Sequence, residues 1–290
     1  MTKKHKHKQN KTVPVAVQSG KAEEERKYRV NGESWDDRVA LLRQIFKFVA
    51  ADKRHFATFD AAPHTEGYDA RLLAVAKKPK HTKALRERFY WDTTALDGRG
   101  PANEGLVEIR TENKLGKHFW EQVVKLGGSG TKTLKRDELP CSLDGPGVNM
   151  NVYEEPVRKA VHKVIGDKTL YPMLRIQSQS EPVLYHPDGR ADVTFEIKFD
   201  VGVCTAFDGY EEDIVEIEIE VKDAPKSMSV KEIEELFDKS ELKLFSKYAD
   251  DLSLIFESKA AACFQHLVGW RERDKKEFKD AVKASAFNVK

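Results

Sequence analysis

The sequence predicts an α+β protein in which antiparallel strands are flanked by helices. Eight segments have the alternation or the β-branched and aromatic composition of strands, and most of them are neighbours along the chain. Helical periodicity is confined to insertions between these segments and to the C-terminal part. Strands that follow one another along a chain tend to pair with each other, so we expect one antiparallel sheet with the helices packed outside it.

The N-terminal half supplies five of these strands and one long helix. Residues 22–30 alternate and end in β-favouring residues, which predicts a short first strand. Apolar residues recur at helical spacing over 36–50, which predicts an amphipathic helix. The stretch 51–85 shows no clear pattern. The remaining strands of this half are predicted at 86–93, 105–112, 118–126 and 133–143.

The C-terminal half adds three strands and a helical region. A helix is predicted at 154–165, and a second one should begin near the capping box formed by Ser229 and Glu232. A further helix is predicted over 246–268. The strands of this half are predicted at 171–179, 191–201 and 212–222.

The distribution of charge separates a basic tail from a slightly acidic body. The chain has 290 residues and a net charge of +2, yet residues 1–21 carry lysines and no acid. We expect 1–21 to be a disordered tail, 22–268 to be one domain and 269–290 to be a polar helix or tail. An acidic body argues against a dedicated nucleic-acid binder, so only weak contacts through the tail are expected.

The composition also excludes several classes of protein. No apolar stretch reaches the roughly 18–20 residues that a membrane-spanning helix needs, and the N-terminus lacks the apolar core of a secretory signal. Cys141, Cys204 and Cys263 lie far apart, which argues against a disulfide scaffold and a cysteine-ligated zinc site. We therefore expect a cytoplasmic protein. The sequence leaves its oligomeric state open, with a homodimer as one option.

Two strands place charge along one entire face. Residues 192–201 put Glu196, Lys198 and Asp200 on the face opposite three apolar residues, because strand side chains alternate with a period of two. Residues 214–222 do the same with three glutamates and a lysine. One explanation is a sheet with its polar face in water. The other is a closed barrel with a charged lumen, which would suit an anion and hard cations such as magnesium or manganese.

A series of motifs in one order resembles the CYTH superfamily, also called the triphosphate tunnel metalloenzymes. The first is the ExExK signature, formed by Glu23, Glu25 and Lys27. The later segments resemble the family's strands in the correct order from about residue 22 to residue 250. They are Tyr90–Thr93, Gly105–Arg110, Trp120–Lys125, Glu138, Phe195–Gly202, Glu216–Glu220 and Ser246–Tyr248.

The resemblance implies an eight-stranded antiparallel tunnel barrel that binds a triphosphate-containing small molecule and a divalent metal, Mg²⁺ or Mn²⁺. It implies metal ligation by acids of the first and last strands, with phosphate held by basic residues. The implied metal ligands are Glu23, Glu25, Glu216, Glu218 and Glu220. The implied substrate-binding residues are Lys27, Arg110, Lys125, Arg175, Lys198 and Lys247. The implied catalytic set is Glu23, Glu25, Lys27, Lys125, Glu218 and Glu220.

The activity that this resemblance implies is metal-dependent hydrolysis of tripolyphosphate or a similar organic triphosphate. Glu108, Ser180 and Asp250 stand at or near positions where many members of the family carry arginine. Loss of these cations would weaken the binding of a polyphosphate. A non-catalytic sensor of polyphosphate or nucleotide is therefore one alternative to the hydrolase. A nucleotide cyclase is another, because the motifs alone do not separate it from a hydrolase.

Overall fold

A computed structural model describes residues 21–51, 85–98, 107–114, 120–129, 134–255 and 258–285 of the chain. Residues 1–20 of the expected tail and the last five residues of the chain lie outside this part. The strands are β1 Lys21–Val30, β2 Leu85–Asp92, β3 Val107–Lys114, β4 Trp120–Ser129, β5 Leu134–Leu143, β6 Tyr171–Tyr185, β7 Thr194–Ala206, β8 Glu211–Asp223 and β9 Leu252–Ile255. The α-helices are α1 Trp35–Ala51, α2 Glu155–Ile165, α3 Val230–Phe245, α4 Ala261–Arg273 and α5 Lys275–Ser285.

Eight of these strands pair around a ring. The order of hydrogen-bonded neighbours is β5-β4-β3-β2-β6-β7-β8-β1, and β1 also pairs with β5. Residues 21–25 of β1 pair with β5, whereas residues 25–29 pair with β8. All of these pairings are antiparallel. The α+β class and the eight predicted strands are therefore confirmed.

The outer face of the ring is apolar and packs against α1 and α3. Phe195, Ile197 and Ile219 are fully buried in a cluster that includes apolar residues of both helices. The capping box predicted at the start of α3 is present, since Ser229 accepts a hydrogen bond from the backbone of Glu232 and the glutamate side chain accepts one in return. Among the described helices, none is long and apolar enough to cross a membrane.

The charged faces of the strands point to the inside of the ring, which we call the lumen. Cross-strand partners share a face, and the face opposite Phe195 and Ile197 carries Glu196, Lys198 and Asp200. Asp200 is only 3% exposed. Of the two explanations for the charged strand faces, the closed barrel is therefore correct and the sheet washed by water is not.

The two C-terminal helices close one end of the lumen. A second apolar cluster joins α4 and α5 to Leu174, Ile176 and Ile214. Ile176 lies opposite Arg88, and Ile214 lies two residues before Glu216 on the same strand face. These helices thus cover lumen-facing residues, whereas α1 and α3 cover the outer face.

The prediction of one helix over 246–268 is wrong. The chain forms a 3-10 helix at Ser246–Asp251 and then strand β9, and α4 begins only at Ala261. Strand β9 pairs with residues 27–30 of β1, beyond the point where β5 ends its pairing. The apolar residues of this segment suit a strand as well as a helix, so the free edge of β1 decided between them.

Candidate functional site

The lumen carries buried acids of β1 and β8 that the strand register brings side by side. Glu25 lies opposite Glu220, and Lys27 lies opposite Glu218. The Nζ atom of Lys27 is 2.7 Å from Oε1 of Glu25 and 3.8 Å from Oε2 of Glu218. Glu25, Lys27 and Glu218 are each at most 5% exposed. The structure therefore brings together four residues that the sequence resemblance singles out.

Three lysines surround Glu218, which is the central acid of this group. Its Oε1 accepts a hydrogen bond from Lys198 at 2.9 Å, and its Oε2 accepts one from Lys259 at 3.0 Å. Lys27 is the third lysine. Burial by itself would raise the pKa of Glu218, but the three lysines outweigh it and hold that pKa well below its ordinary value. Glu218 is therefore a carboxylate at neutral pH.

Lys198 lies among carboxylates of its own strand and of β8. Besides its bond to Glu218, its Nζ atom donates to Oε2 of Glu220 and lies 3.7 Å from Oε2 of Glu196. Burial would lower the pKa of Lys198, but these glutamates raise it well above its ordinary value. Lys198 is therefore a cation held between acids in the described lumen.

Lys259 is a lumen residue that the sequence analysis missed. It lies just before α4, and its Nζ atom is 2.5 Å from Oδ2 of Asp200 as well as 3.0 Å from Oε2 of Glu218. The sequence contains the Ser-Lys dipeptide twice near its end, at Ser246-Lys247 and at Ser258-Lys259. Only the second dipeptide reaches the lumen. The presence of a second Ser-Lys dipeptide is the sequence signal that could have identified Lys259 as a candidate.

Glu216 is the acid of β8 whose charge is least well compensated. Its Oε2 atom is buried and has no hydrogen-bond partner. Burial raises the pKa of Glu216 to about 6, since the opposing effect of Lys259 and Lys27 is reduced by the neighbouring Asp200 and Glu218. Glu216 therefore gains a proton more readily than an ordinary glutamate does.

On the opposite wall of the lumen, two arginines and a lysine contact two glutamates. Arg88 of β2 donates a hydrogen bond to Oε2 of Glu112 at 2.9 Å. The Nε atom of Arg110 lies 3.7 Å from the same oxygen, and its Nη2 atom lies 3.3 Å from Oε1 of Glu138. Glu138 also contacts Lys125. Arg88 and Lys125 are buried. Arginine and lysine side chains of this kind suit the recognition of phosphate oxygens.

Two of the implied substrate-binding residues lie away from the lumen. Arg175 lies opposite Phe89 on the outer strand face, and its Nη2 atom is 2.5 Å from Oε1 of Glu87. Lys247 is exposed in the 3-10 helix, with its Nζ atom 5.8 Å from the centre of the Phe48 ring. The structure therefore does not bring these two residues together with the other residues of the implied set.

The acids match a hard divalent cation in their chemistry but not in their present spacing. Carboxylate oxygens are the ligands that magnesium and manganese prefer. Among the described residues, however, no three His, Cys, Asp or Glu side chains are grouped so that they could hold a metal ion. Lysines stand between the acids instead. The implied ligand set is Glu23, Glu25, Glu216, Glu218 and Glu220. The backbone of Glu23 lies in the part of β1 that pairs with β5, whereas Glu25, Glu216, Glu218 and Glu220 lie where β1 pairs with β8.

Three solved structures are similar to this chain over most of its length. One, from Bacillus halodurans, is named for a proposed adenylate cyclase; it is 14% identical, covers 84% of this chain and 97% of its own, and has a TM-score of 0.44. One from Hippeastrum, a proposed adenylyl cyclase described as having a dominant triphosphatase activity, is 13% identical over 82% of this chain and 93% of its own, with a TM-score of 0.45. One from Pyrococcus horikoshii is 14% identical over 84% and 99%, with a TM-score of 0.44.

No family model and no curated protein matches the sequence. Eight strands of the chain form an antiparallel ring, and buried carboxylates, lysines and arginines line the inside. The described part of this chain is therefore an α+β protein whose antiparallel strands surround a charged lumen.

Proposed function

We propose that the lumen binds the triphosphate group of a small molecule and hydrolyses it with the help of magnesium or manganese. The observation that carries this proposal is the convergence of buried or largely buried cations from separate elements on one enclosed space. Burial of so many cations is unfavourable unless anionic partners compensate them. These cations are Lys27 of β1, Arg88 of β2, Arg110 of β3, Lys125 of β4, Lys198 of β7 and Lys259 before α4.

The balance of charge in the lumen explains why a metal and a triphosphate would bind together. Each of these cations contacts a carboxylate, for example Lys27 with Glu25 and Arg88 with Glu112. A triphosphate that takes over the cations leaves the carboxylates uncompensated, which is unfavourable in a buried space. A divalent cation on those carboxylates would restore neutrality. Metal binding and anion binding should therefore support each other.

The metal would be held by Glu25, Glu218 and Glu220, with Glu23 and Glu216 as the further acids of the implied set. Once bound, it would supply charge neutralisation and activation of the attacking water. The transfer of a phosphoryl group needs positioning and electrostatic stabilisation more than covalent chemistry. We infer that the enclosed lumen positions the reacting groups and that the lysines and arginines supply the electrostatic stabilisation.

Hydrolysis forms a bond between the oxygen of water and the terminal phosphorus, while the bridging phosphorus–oxygen bond breaks toward the leaving diphosphate. The diphosphate gains negative charge as it leaves. Arg110 and Lys125 lie together on one wall, where both contact Glu138. We infer that these two cations hold the leaving diphosphate and stabilise its charge.

The proposal is tested by measuring release of phosphate from tripolyphosphate, ATP and thiamine triphosphate, with magnesium or manganese. Lys27→Met and Lys125→Met should each lower kcat/KM by about ten- to a hundredfold, since a charge-assisted hydrogen bond is worth about 1.5–3 kcal/mol. The matched controls are Arg175→Met and Lys247→Met, which remove the same charge outside the lumen and should leave the rate unchanged. Equal losses in all four variants would contradict the assignment of the lumen.

A non-catalytic sensor is the second candidate, and the lysines among the acids favour it. Lys27, Lys198 and Lys259 compensate the acids of β1, β7 and β8 without a metal. A protein of this kind would bind tripolyphosphate in calorimetry but release no phosphate from any of the three compounds. Formation of a cyclic nucleotide and diphosphate from ATP would identify a cyclase instead.

A further inference from the structure

Lys198 occupies a position that the strand register fixes between two acids of the implied metal site. Its Cα partner on β8 is Glu218, and the partner of Glu196 is Glu220. Its Nζ atom is 2.9 Å from Oε1 of Glu218 and also contacts Oε2 of Glu220. The lysine side chain is only 15% exposed. The ammonium group thus lies between the two carboxylates that a metal would use.

The other two lysines of this wall have different nearest partners. The nearest carboxylate to Lys27 among its described ion pairs is Glu25, at 2.7 Å, and the nearest to Lys259 is Asp200, at 2.5 Å. Each of them also contacts Glu218. Among the described ion pairs, Lys198 is the lysine that contacts both Glu218 and Glu220.

An ammonium group and a divalent metal compete for the same carboxylate oxygens. Both are stabilised by negative charge, and two cations at hydrogen-bond distance in a space of low polarity repel each other strongly. A metal that binds these oxygens must therefore move the lysine away or bind with a repulsive neighbour. Either event lowers the affinity of the protein for the metal.

We propose that Lys198 is a built-in counter-cation of the Glu218–Glu220 pair, which a divalent metal must displace in order to bind there. The proposal rests on the proposed function for the identity of the metal-binding acids. It assigns to Lys198 a role in setting metal affinity, which differs from the phosphate-binding role that the sequence resemblance implies. In the absence of triphosphate, the acids are already neutralised and the metal site is weak.

The test is a titration of the full chain with Mn²⁺ in the absence of any phosphate compound. The concentration of free Mn²⁺ is measured at each step by electron paramagnetic resonance. We expect the wild type to bind with a dissociation constant of about 10⁻⁴ M or weaker. Lys198→Met and Lys198→Gln should bind about tenfold more tightly or better, because the competing charge is gone. The glutamine keeps a hydrogen-bond donor beside the carboxylates, which protects the fold.

Lys222→Met is the matched control. Lys222 lies on β8, is half exposed and has its Nζ atom 3.2 Å from Oε2 of Glu196. Its removal changes the net charge of the protein by the same amount near the same acids. If affinity rises equally in the Lys222 and Lys198 variants, a general electrostatic effect explains the result and the proposal is overturned.

Two further outcomes decide the matter independently of catalysis. Equal affinity in the wild type and in both Lys198 variants overturns the proposal, whether or not the protein releases phosphate. Micromolar binding by the wild type alone also overturns it, even if neither Lys198 variant folds. Weak binding by the wild type that tightens only in the Lys198 variants supports it, including in a protein that proves to be a sensor.

Discussion

Glu216→Gln should stabilise the protein at neutral pH but not in acid. The substitution replaces a buried carboxyl group whose Oε2 atom has no hydrogen-bond partner by an uncharged amide of nearly the same shape. Glu216 is 3% exposed, so it can hardly recover its lost hydration from solvent. Removing its charge therefore removes a penalty that the wild type bears only when Glu216 is ionised.

The size of the effect follows from the pKa of Glu216 in the two states. Burial raises this pKa to about 6 in the folded protein, against an ordinary value of 4.5. Because the pKa of Glu216 is higher in the folded state, the protonated side chain stabilises the folded protein. This stabilisation is fully present below pH 4.5 and is lost as the pH rises through 6. The full loss corresponds to about 2 kcal/mol, since one pKa unit is worth about 1.4 kcal/mol.

The assay is urea-induced unfolding of wild type and variant between pH 4 and pH 8, in buffer with a metal chelator. The free energy of unfolding of Glu216→Gln, relative to wild type, should rise by about 2 kcal/mol across this range. Glu235→Gln, at an exposed position of α3, is the control and should show no such rise. A difference for Glu216→Gln that does not change with pH would refute the reasoning.

Two further predictions concern the lumen and the outer core. Lys259→Met should lower the free energy of unfolding at pH 7 by about 3–5 kcal/mol, because it leaves the buried carboxylates of Asp200 and Glu218 without this cation. A loss below about 1 kcal/mol in urea unfolding would show that the pairing is unimportant. Phe195→Ala should cost about 3–5 kcal/mol by the same measurement, since Phe195 is fully buried and stacks on Phe237 at 4.7 Å. An unchanged unfolding midpoint would contradict this packing.

Local patterns in the sequence were sufficient to predict the eight strands of the ring, though not β9. Alternation over 192–201 predicts both a strand and the separation of Phe195 from Lys198, because the period of two belongs to each strand by itself. The capping box at Ser229 likewise depends on residues three positions apart. These features involve neighbours along the chain, so the sequence displays them directly.

The same patterns could not show which arginines and lysines reach the lumen. Arg88 and Arg175 both lie on strands, but a single step in register separates the lumen face from the outer face. Lys247 and Lys259 both follow a serine, yet only Lys259 enters the lumen, because the chain forms β9 between them. Such choices depend on pairing partners that local sequence does not specify.

The direction of the charged faces was also decided by tertiary structure. The alternation of β7 and β8 is equally compatible with an open sheet in water and with a closed ring. Residues 21–25 of β1 pair with 134–138 of β5, more than a hundred residues away, and this pairing closes the ring. The sequence by itself thus determined the strands and the acids that they carry, whereas closure determined that those acids are buried opposite cations. The physical reason is that side-chain alternation is a property of one strand, while enclosure exists only when the first and fifth strands meet.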